Sequence, residues 1–139
     1  MNLRTKRVVF TSGVWDLLHE GHRNRLRGAK ALGDTLVVGI VTDEFARSYK
    51  DPPVWDYERR FEEVVSLPYV DIAVPLGGFT DYWAIEEYGV SVRVIGPEYG
   101  RFTGQVEARA ELERRGIKFV VLPRTPGISS TQLRKKTEV

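Results

Sequence analysis

The segment from Val8 to His22 reads V-V-F-T-S-G-V-W-D-L-L-H-E-G-H, and the rest of the chain is interpreted around it. It opens with a short run of β-branched and apolar residues, which is typical of a buried strand. A turn at Gly13 then leads into the first turn of a helix. The exposed N–H groups and the dipole of a helix N-terminus favour a bound anion. The segment therefore predicts an anion site at a strand–helix junction.

The overall composition limits the classes of protein to consider. The chain has 139 residues, no cysteine and a formal net charge of +2. This length is typical of one domain, so we expect residues 1–139 to form a single domain. The lack of cysteine excludes disulfides, zinc–thiolate sites and a thiol nucleophile. Balanced charge argues against nucleic-acid binding, and no run resembles a membrane span or signal peptide. We therefore expect a cytoplasmic protein that binds neither nucleic acid nor membrane.

Short apolar runs alternate with amphipathic segments along the whole chain. We predict strands at 7–11, 35–41, 70–74, 92–95 and 118–122, and helices at 20–33, 57–66, 81–88 and 103–115, with a short last helix capped by Ser129 or Ser130. This alternation indicates an α/β fold, a doubly wound, Rossmann-like five-stranded parallel sheet with helices on both faces. Ligands of such sheets bind beyond the carboxyl ends of the strands. The segment 46–55 we expect to be irregular, because of its Pro52-Pro53 break.

Both histidines of the chain, His19 and His22, lie at the end of the opening segment. Their spacing places both rings on one face of a helix. An imidazole donates an N–H to a phosphate oxygen and, when protonated, adds positive charge. Two such donors would stabilise charge that develops on phosphorus during a displacement. A metal site would need a third ligand from Asp16 or Asp43, and the histidine spacing matches no strong zinc pattern, so we predict no dedicated metal site.

A second candidate anion site lies near the end of the chain, where residues 123–134 read P-R-T-P-G-I-S-S-T-Q-L-R. Serine, threonine and glycine before a helix form an anion cradle, and Arg124 adds a planar charged fork that suits phosphate. A plain capped C-terminal helix would show the same capping residues. Two cradles at one edge of a sheet suit a triphosphate better than a single phosphate.

The motif H-x-G-H at His19–His22 and the motif I-S-S-T-x-L-R at Ile128–Arg134 resemble the two signatures of the small nucleotidyltransferases. Within that superfamily the sequence most resembles the cytidylyltransferases that act on glycerol 3-phosphate. The shared segments are W-D-L-L-H at 15–19, A-K-x-L-G-D at 29–34, L-V-V at 36–38, T-D-E-F at 42–45, Y-E-x-R at 57–60, Y-V-D at 69–71 and L-P-R-T-x-G-I-S at 122–129. H-x-G-H alone is shared with many adenylyltransferases, so the last segment and T-D-E-F are the more specific ones.

The resemblance implies transfer of a cytidylyl group from CTP to a small phosphorylated alcohol, with glycerol 3-phosphate as the first candidate, and release of pyrophosphate. It implies catalytic roles for His19, His22, Lys50 and Arg124. The nucleotide-binding residues it implies are Ser12, Gly13, Val14, Asp16, Gly96, Glu98, Arg124, Thr125, Ile128, Ser129, Ser130 and Thr131, and the acceptor-binding residues are Asp43, Arg60 and Asp71. Mg²⁺ bound with the triphosphate and a homodimer are also implied.

The expected chemistry explains why the sequence shows no activated nucleophile. A phosphate monoester is largely dianionic at neutral pH, since its second pKa is about 6. The acceptor is therefore already a nucleophile and needs no general base or covalent intermediate. Catalysis would come from positioning and from neutralising charge.

The sequence departs from the family pattern at three places, which concern the base and the acceptor. Val14 stands where the family usually has threonine, and Pro68 stands where it has arginine. The segment 96–99 reads G-P-E-Y in place of G-D-D-W and keeps one carboxylate, Glu98. One alternative is therefore an adenylyltransferase that uses ATP on a sugar phosphate, pantetheine phosphate or FMN. Another is a nucleotide-binding domain that has lost turnover.

Overall fold

The structure of the protein is a computed structural model, and it describes residues 6–126. The elements in chain order are β1 (Val8–Gly13), α1 (Glu20–Lys30), β2 (Thr35–Val41), α2 (Asp43–Tyr49), α3 (Tyr57–Val65), β3 (Ile72–Leu76), α4 (Tyr82–Glu87), β4 (Val92–Ile95), α5 (Gln105–Arg114) and β5 (Lys118–Val121). None of the helices in this range is long and apolar enough to cross a membrane. The predicted last helix, with Ile128, Ser129, Ser130 and Thr131, lies outside the described residues.

The five strands form one sheet in the order β3-β2-β1-β4-β5, and every adjacent pair is parallel. Val9 of the central strand β1 pairs with Leu36 of β2 on one side and with Val92 of β4 on the other. The predicted doubly wound α/β fold is confirmed. The winding reverses between β1 and β4, so the loops after these two strands diverge and leave a crevice at the carboxyl edge.

Alternate residues of the strands supply two separate cores. Val9 belongs to the core shared with Leu26 of α1 and Val64 of α3. Phe10, the next residue, belongs to the opposite core, with Ile85 of α4 and Leu112 of α5. Each of these side chains is almost fully buried, which is worth about 1.5–3 kcal/mol per large apolar side chain. The sheet is therefore anchored on both faces, and its carboxyl edge is held in a fixed position.

Three elements, α2, β3 and α1, differ clearly from the sequence prediction. Helix α2 forms in a region expected to be partly irregular, because the Thr42 hydroxyl accepts a hydrogen bond from Phe45 N and caps it. Strand β3 begins at Ile72, two residues later than predicted. The backbone before it is still turning, since Val70 N donates to Leu67 O. Helix α1 also ends at Lys30, earlier than its predicted end at residue 33.

Candidate active site

The two histidines form the N-terminal cap of α1. His19 is the N-cap residue, with extended backbone, and its Nδ1 accepts from Gly21 N at 3.1 Å. His22 reaches back, and its Nδ1 accepts from His19 N at 3.2 Å. The pair makes the reciprocal arrangement of a capping box, a role usually filled by Ser or Thr with Glu or Gln. Both Nδ1 atoms are thus committed to holding the helix end.

The loop between β1 and α1 fixes the orientation of the two rings. They stack with centroids 3.8 Å apart and an interplanar angle of 21°. Trp15 packs edge-on against His22 at 5.4 Å, and its indole N–H donates to Gly39 O at 2.9 Å. Trp15 and Leu17 have positive φ angles of 59° and 52°, a left-handed conformation that is strained for such residues. The loop therefore stores strain to hold the imidazoles in place.

The surroundings keep both histidines neutral. Burial lowers the pKa of His22 to about 3, and repulsion from His19 and Arg25 adds to the effect. Burial and then Arg23 also lower the pKa of His19. Because each Nδ1 accepts a hydrogen bond, the bonding pattern assigns the single proton of each ring to Nε2. The histidines are therefore neutral Nε2–H donors at neutral pH, and the expectation that they add charge is not supported.

Asp16 ties the histidine loop to the segment that follows α2. Its carboxylate accepts from Val54 N at 2.8 Å and from Trp55 N at 2.9 Å. The exposed Lys50 lies at the C-terminal cap of α2, at the start of that segment. Asp16 thus joins the histidine loop to the end of the segment that begins at Lys50.

Arg60 was predicted to bind the acceptor, but the structure gives it a different place. Its side chain is fully buried and donates to the carbonyl oxygens of Trp55, Val14 and Val41. Its remaining bond is an ion pair with Asp43 at 2.6 Å. Four N–H groups of Arg60 therefore form hydrogen bonds that join the ends of β1 and β2 to α2 and α3. This geometry supports a scaffold role for Arg60 and not contact with a ligand.

Asp43 and Asp71, the other two residues predicted to bind the acceptor, are also engaged in the scaffold. Asp43 accepts from Tyr57 N as well as from Arg60. Burial raises the pKa of Asp43, but these two bonds and the charge of Arg60 outweigh it, so the pKa is lowered overall. Asp71 accepts from Lys30 at 2.6 Å and from Leu36 N at 2.8 Å. Leu36 lies near the amino end of β2, so Asp71 is at the edge of the sheet opposite the histidines. The structure does not bring Asp71 to the site.

The two predicted anion cradles lie side by side. Asn24 of α1 donates from Nδ2 to the Thr125 hydroxyl at 3.0 Å, which joins the loop after β5 to the histidine helix. In the same loop, Arg124 pairs with Glu98 at 2.5 Å. Residues that lie 101 positions apart in the sequence therefore meet at one place. The two segments predicted to bind a triphosphate are therefore in contact, as far as residues 6–126 show.

A cavity of about 190 Å³ opens beside these cradles at the carboxyl edge, on the face covered by α4 and α5. Five of the residues predicted to bind nucleotide line it, and these are Ser12, Gly13, Val14, Gly96 and Glu98. The rest of the lining is of two kinds: aromatic side chains from α2 and the loops after β3 and β4, and the charged side chains of Arg25, Asp81 and Arg93. The histidines lie next to this cavity and not in its lining.

Sequence reasoning missed these three charged residues. Arg25 packs against Gly96, where a Cβ atom would collide with its guanidinium group. Its pKa is lowered, mainly by burial, while Glu98 acts in the opposite direction. The sequence did contain one signal for this cavity, which is Arg93. An arginine inside the otherwise apolar strand V-R-V-I is unusual, because arginine is rarely buried.

The site offers no ready metal cage in the described part of the chain. No group of three or more His, Asp or Glu side chains within residues 6–126 is placed to hold a metal ion. Asp16 and Asp43, the two candidates for a third ligand, bond to backbone N–H groups and to Arg60 as described. The residues present do not fit a resident metal, whereas an ion carried by a triphosphate would need few protein ligands.

Comparison with known proteins identifies the family. The cytidylyltransferase-like family matches residues 10–136. The chain belongs to the cytidylyltransferase-like family. It is 34% identical over 132 residues to glycerol-3-phosphate cytidylyltransferase of Staphylococcus aureus, which covers 94% of both chains. It is 32% identical over 126 residues to mouse ethanolamine-phosphate cytidylyltransferase, covering 90% of this chain and 31% of that one. The resemblance seen in the sequence is confirmed, and this cytidylyltransferase-like protein is a nucleotidyltransferase.

The relatives differ in length, and the solved structures share the fold. The cytidylyltransferase-like chain spans about a third of the mouse relative and nearly the whole of the bacterial one. Among solved structures, the lipopolysaccharide core biosynthesis protein of Thermoplasma volcanium superposes with a TM-score of 0.70 at 26% identity, covering 87% of this chain and 98% of that one. Thermotoga maritima TmcAL bound with alpha-thio ATP superposes with a TM-score of 0.71 at 16% identity, covering 95% of this chain and 50% of that one. This likeness shows the fold alone.

Proposed function

We propose that this nucleotidyltransferase transfers a cytidylyl group from CTP to a small phosphorylated alcohol, with glycerol 3-phosphate as the first candidate, and releases pyrophosphate. The observation that carries the proposal is the pair of neutral Nε2–H donors, His19 and His22, at the N-terminus of α1 beside the loop that holds Arg124. The named bacterial relative of nearly the same length supports the choice of CTP and of the acceptor.

In the proposed reaction an acceptor phosphate oxygen attacks the α-phosphorus of CTP. A new phosphorus–oxygen bond forms, and the bond to the bridging oxygen of pyrophosphate breaks. The two Nε2–H groups would donate to the non-bridging oxygens as negative charge builds there. Their fixed protonation suits this role, because a neutral donor does not lose its proton to the dianionic acceptor.

Lys50 and Arg124 are proposed to hold the outer phosphates. Lys50 is exposed at the end of α2, and its flexible stem would let the ammonium group turn towards the phosphates. Arg124 is exposed and pairs with Glu98, and a triphosphate would compete with that carboxylate for the guanidinium fork. The lysine would bind as a point charge and the arginine as a bidentate partner.

Mg²⁺ is proposed to enter with the triphosphate. Phosphate oxygens and water would supply most of its ligands, which is the usual situation for Mg²⁺ in nucleotide sites. When bound, the ion would neutralise charge on the phosphates. A homodimer, with the segment 69–71 near the contact, is also part of the proposal, and sedimentation velocity of the purified protein tests it.

The decisive experiment is a measurement of pyrophosphate release with each of CTP, ATP, UTP and GTP. Each nucleotide is combined with Mg²⁺ and a panel of phosphorylated acceptors. We expect release with CTP and a phosphorylated alcohol. Release with ATP alone would replace the cytidylyl assignment by an adenylyl one. No release with any pair, although CTP binds, would favour a nucleotide-binding domain without turnover.

A further inference from the structure

The cavity beside the histidines contains a buried ion pair, Asp81–Arg93, that the proposed reaction does not use. We propose that this pair recognises hydroxyl groups of the acceptor, so that the acceptor is a polyhydroxylated phosphate, a polyol or sugar phosphate, and not an amino-alcohol phosphate. This inference rests on the proposed function, because it assigns the cavity to the acceptor of that reaction.

The geometry of the pair is unusual for a strand interior. Arg93 and Asp81 are each only 4% exposed, and Arg93 Nε lies 2.7 Å from Asp81 Oδ2. Arg93 Nη2 also donates to the Ser12 hydroxyl at 2.8 Å, and the guanidinium lies over the rings of Phe10 and Tyr99. The other carboxylate oxygen, Asp81 Oδ1, is buried and has no hydrogen-bond partner among residues 6–126.

Stability does not explain such a pair. A buried ion pair is often no more stable than apolar side chains of similar size, because both charges are taken out of water. A buried oxygen without a partner costs about 1–3 kcal/mol in addition. Both side chains line the cavity. A ligand that donates a hydrogen bond to Asp81 would remove the cost, and this makes the pair a recognition site.

Although five residues predicted to bind nucleotide line the cavity, its position at the ends of β2 and β3 points to the acceptor. The cradle with Arg124 and Thr125 lies at the β5 side of the histidine helix. The cavity extends the other way, and its walls include Val41 at the end of β2 and Leu76 at the end of β3. A triphosphate over α1 and the β5 loop would leave this space for the second substrate, with the histidines between the two.

The charges in the cavity favour hydroxyl groups over an ammonium group. The lining contains two arginines, Arg25 and Arg93, and two carboxylates, Asp81 and Glu98, so it has no net negative charge. An ammonium group next to Asp81 would also lie next to the Arg93 guanidinium and be repelled by it. Hydroxyl groups both donate and accept, so they bond to carboxylate and guanidinium alike.

The aromatic wall and the volume of the cavity also suit a small acceptor with hydroxyl groups. Phe79 and Phe102 stack with centroids 4.7 Å apart, and Tyr49 packs edge-on against both. These rings give an apolar surface for the C–H side of a polyol chain or sugar ring. A volume of about 190 Å³ is below the 300–1,000 Å³ usual for drug-sized ligands. The cavity therefore suits an acceptor of a few carbons and not a long arm.

The test uses matched acceptors and an apolar replacement of the pair. The acceptors are glycerol 3-phosphate, 1,3-propanediol monophosphate, which lacks the middle hydroxyl, ethanolamine phosphate, and a set of sugar phosphates with their deoxy analogues. The variant Asp81→Leu/Arg93→Met removes both charges at once, so no buried charge is left unpaired. Asp81→Asn keeps the size of the side chain. Asp56→Asn, which keeps the cap of α3 and lies outside the cavity, is the control.

For the best acceptor of the panel, we expect the wild-type protein to favour it over its deoxy analogue by about tenfold or more in kcat/KM, because a site built for a hydroxyl is left unsatisfied without it. The double variant should reduce this preference to about threefold or less, and Asp81→Asn should lie between. KM for the nucleotide should stay within about twofold of the wild-type value in all three variants. If the pair had a purely structural role, the variants would change the KM values of both substrates and would leave the preference between the two acceptors unaffected.

An unchanged preference in the double variant would overturn the inference, and so would a wild-type preference for ethanolamine phosphate over every polyol and sugar phosphate. The proposed function has its own readout. If no nucleotide supports pyrophosphate release, the proposed function is wrong. Calorimetric titration of the protein with the same acceptors then tests binding in the cavity directly. Tighter binding of the hydroxylated acceptor, lost in the double variant, would support the recognition site, and equal binding of both members of each pair would rule it out.

Discussion

At the scale of single residues, the histidines combine a structural and a chemical role. Each Nδ1 caps α1, and neither Nε2–H donates a hydrogen bond to another residue of the range 6–126. The capping bonds orient the rings together with the packing of Trp15 against His22. Removal of either imidazole therefore affects both the end of the helix and the reaction, so a test must separate the loss of stability from the loss of rate.

We predict that His22→Ala lowers kcat by about 10² or more, the scale of losing one transition-state donor. It should also cost about 1 kcal/mol in stability, because His19 N loses its acceptor. His22→Gln restores that acceptor, as in an ordinary capping box, and should recover the stability with only part of the rate. Steady-state kinetics and urea unfolding of both variants give the two quantities. Turnover near the wild-type value in His22→Ala would exclude the catalytic role.

Arg124 is the second residue with a separable role. Arg124→Lys keeps the charge and loses the planar fork. The loss of one charge-assisted hydrogen bond, about 1.5–3 kcal/mol, corresponds to a reduction of about tenfold or more in kcat/KM for the nucleotide. The control is Arg114→Lys on α5, where the arginine pairs with Glu111 on the surface. Equal kinetics in Arg124→Lys and the control would remove Arg124 from the site.

The sequence indicates the position of a residue where the signal is local, but it does not indicate a partner that is distant along the chain. The spacing of His19 and His22 placed both at the helix start, and the structure confirms that position. The partners of Arg60 and Asp71 lie up to 46 positions away. Nothing in the local sequence distinguishes a scaffold arginine from a ligand-binding one, so both were assigned to the acceptor.

At the scale of elements, the strands were predictable because each is a short, mostly apolar run between turn signals. Helix α2 was missed, although Thr42 followed by Asp43 and Glu44 is a good capping sequence. The nearby Pro52-Pro53 pair dominated the interpretation of the whole segment. The start of β3 was placed too early because Tyr69 and Val70 resemble strand residues, while the backbone there forms a turn.

Arg60 joins four elements, and its replacement should therefore affect the fold more than the reaction. We predict that Arg60→Lys lowers the free energy of unfolding by about 2–3 kcal/mol, since an ammonium cannot satisfy three buried carbonyl groups and Asp43 together. The neighbouring Arg59→Lys, on an exposed i,i+4 pair with Glu63, should change it by less than about 0.5 kcal/mol. Urea unfolding measures both. Equal midpoints, with a raised acceptor KM in Arg60→Lys alone, would restore Arg60 to the binding site.

At the scale of the whole molecule, strand order decides which loops meet. The alternation of strands and helices predicts a parallel sheet, but the order β3-β2-β1-β4-β5 is a property of the three-dimensional winding. It brings the loops after β1, β4 and β5 to one edge, and with them the histidines, Glu98 and Arg124. The two anion cradles could be recognised one by one in the sequence. The cavity with Asp81 and Arg93 could not, because its walls come from five separate segments.

Global stability should depend on pH through the buried histidines. In the folded protein the pKa of His22 is about 3, while in the unfolded chain it has the ordinary value near 6.5. Between pH 6.5 and pH 3 His22 is therefore protonated in the unfolded state and neutral in the folded state. The stability that it contributes is fully present above pH 6.5 and falls as the pH is lowered. The slope is at most about 1.4 kcal/mol per pH unit for one such group, and His19, with its pKa also lowered, acts in the same direction. Urea unfolding of the wild type and His22→Gln from pH 5 to 8 measures it. The variant should show a clearly shallower slope below pH 6.5, and identical slopes would mean that His22 titrates normally in the folded state.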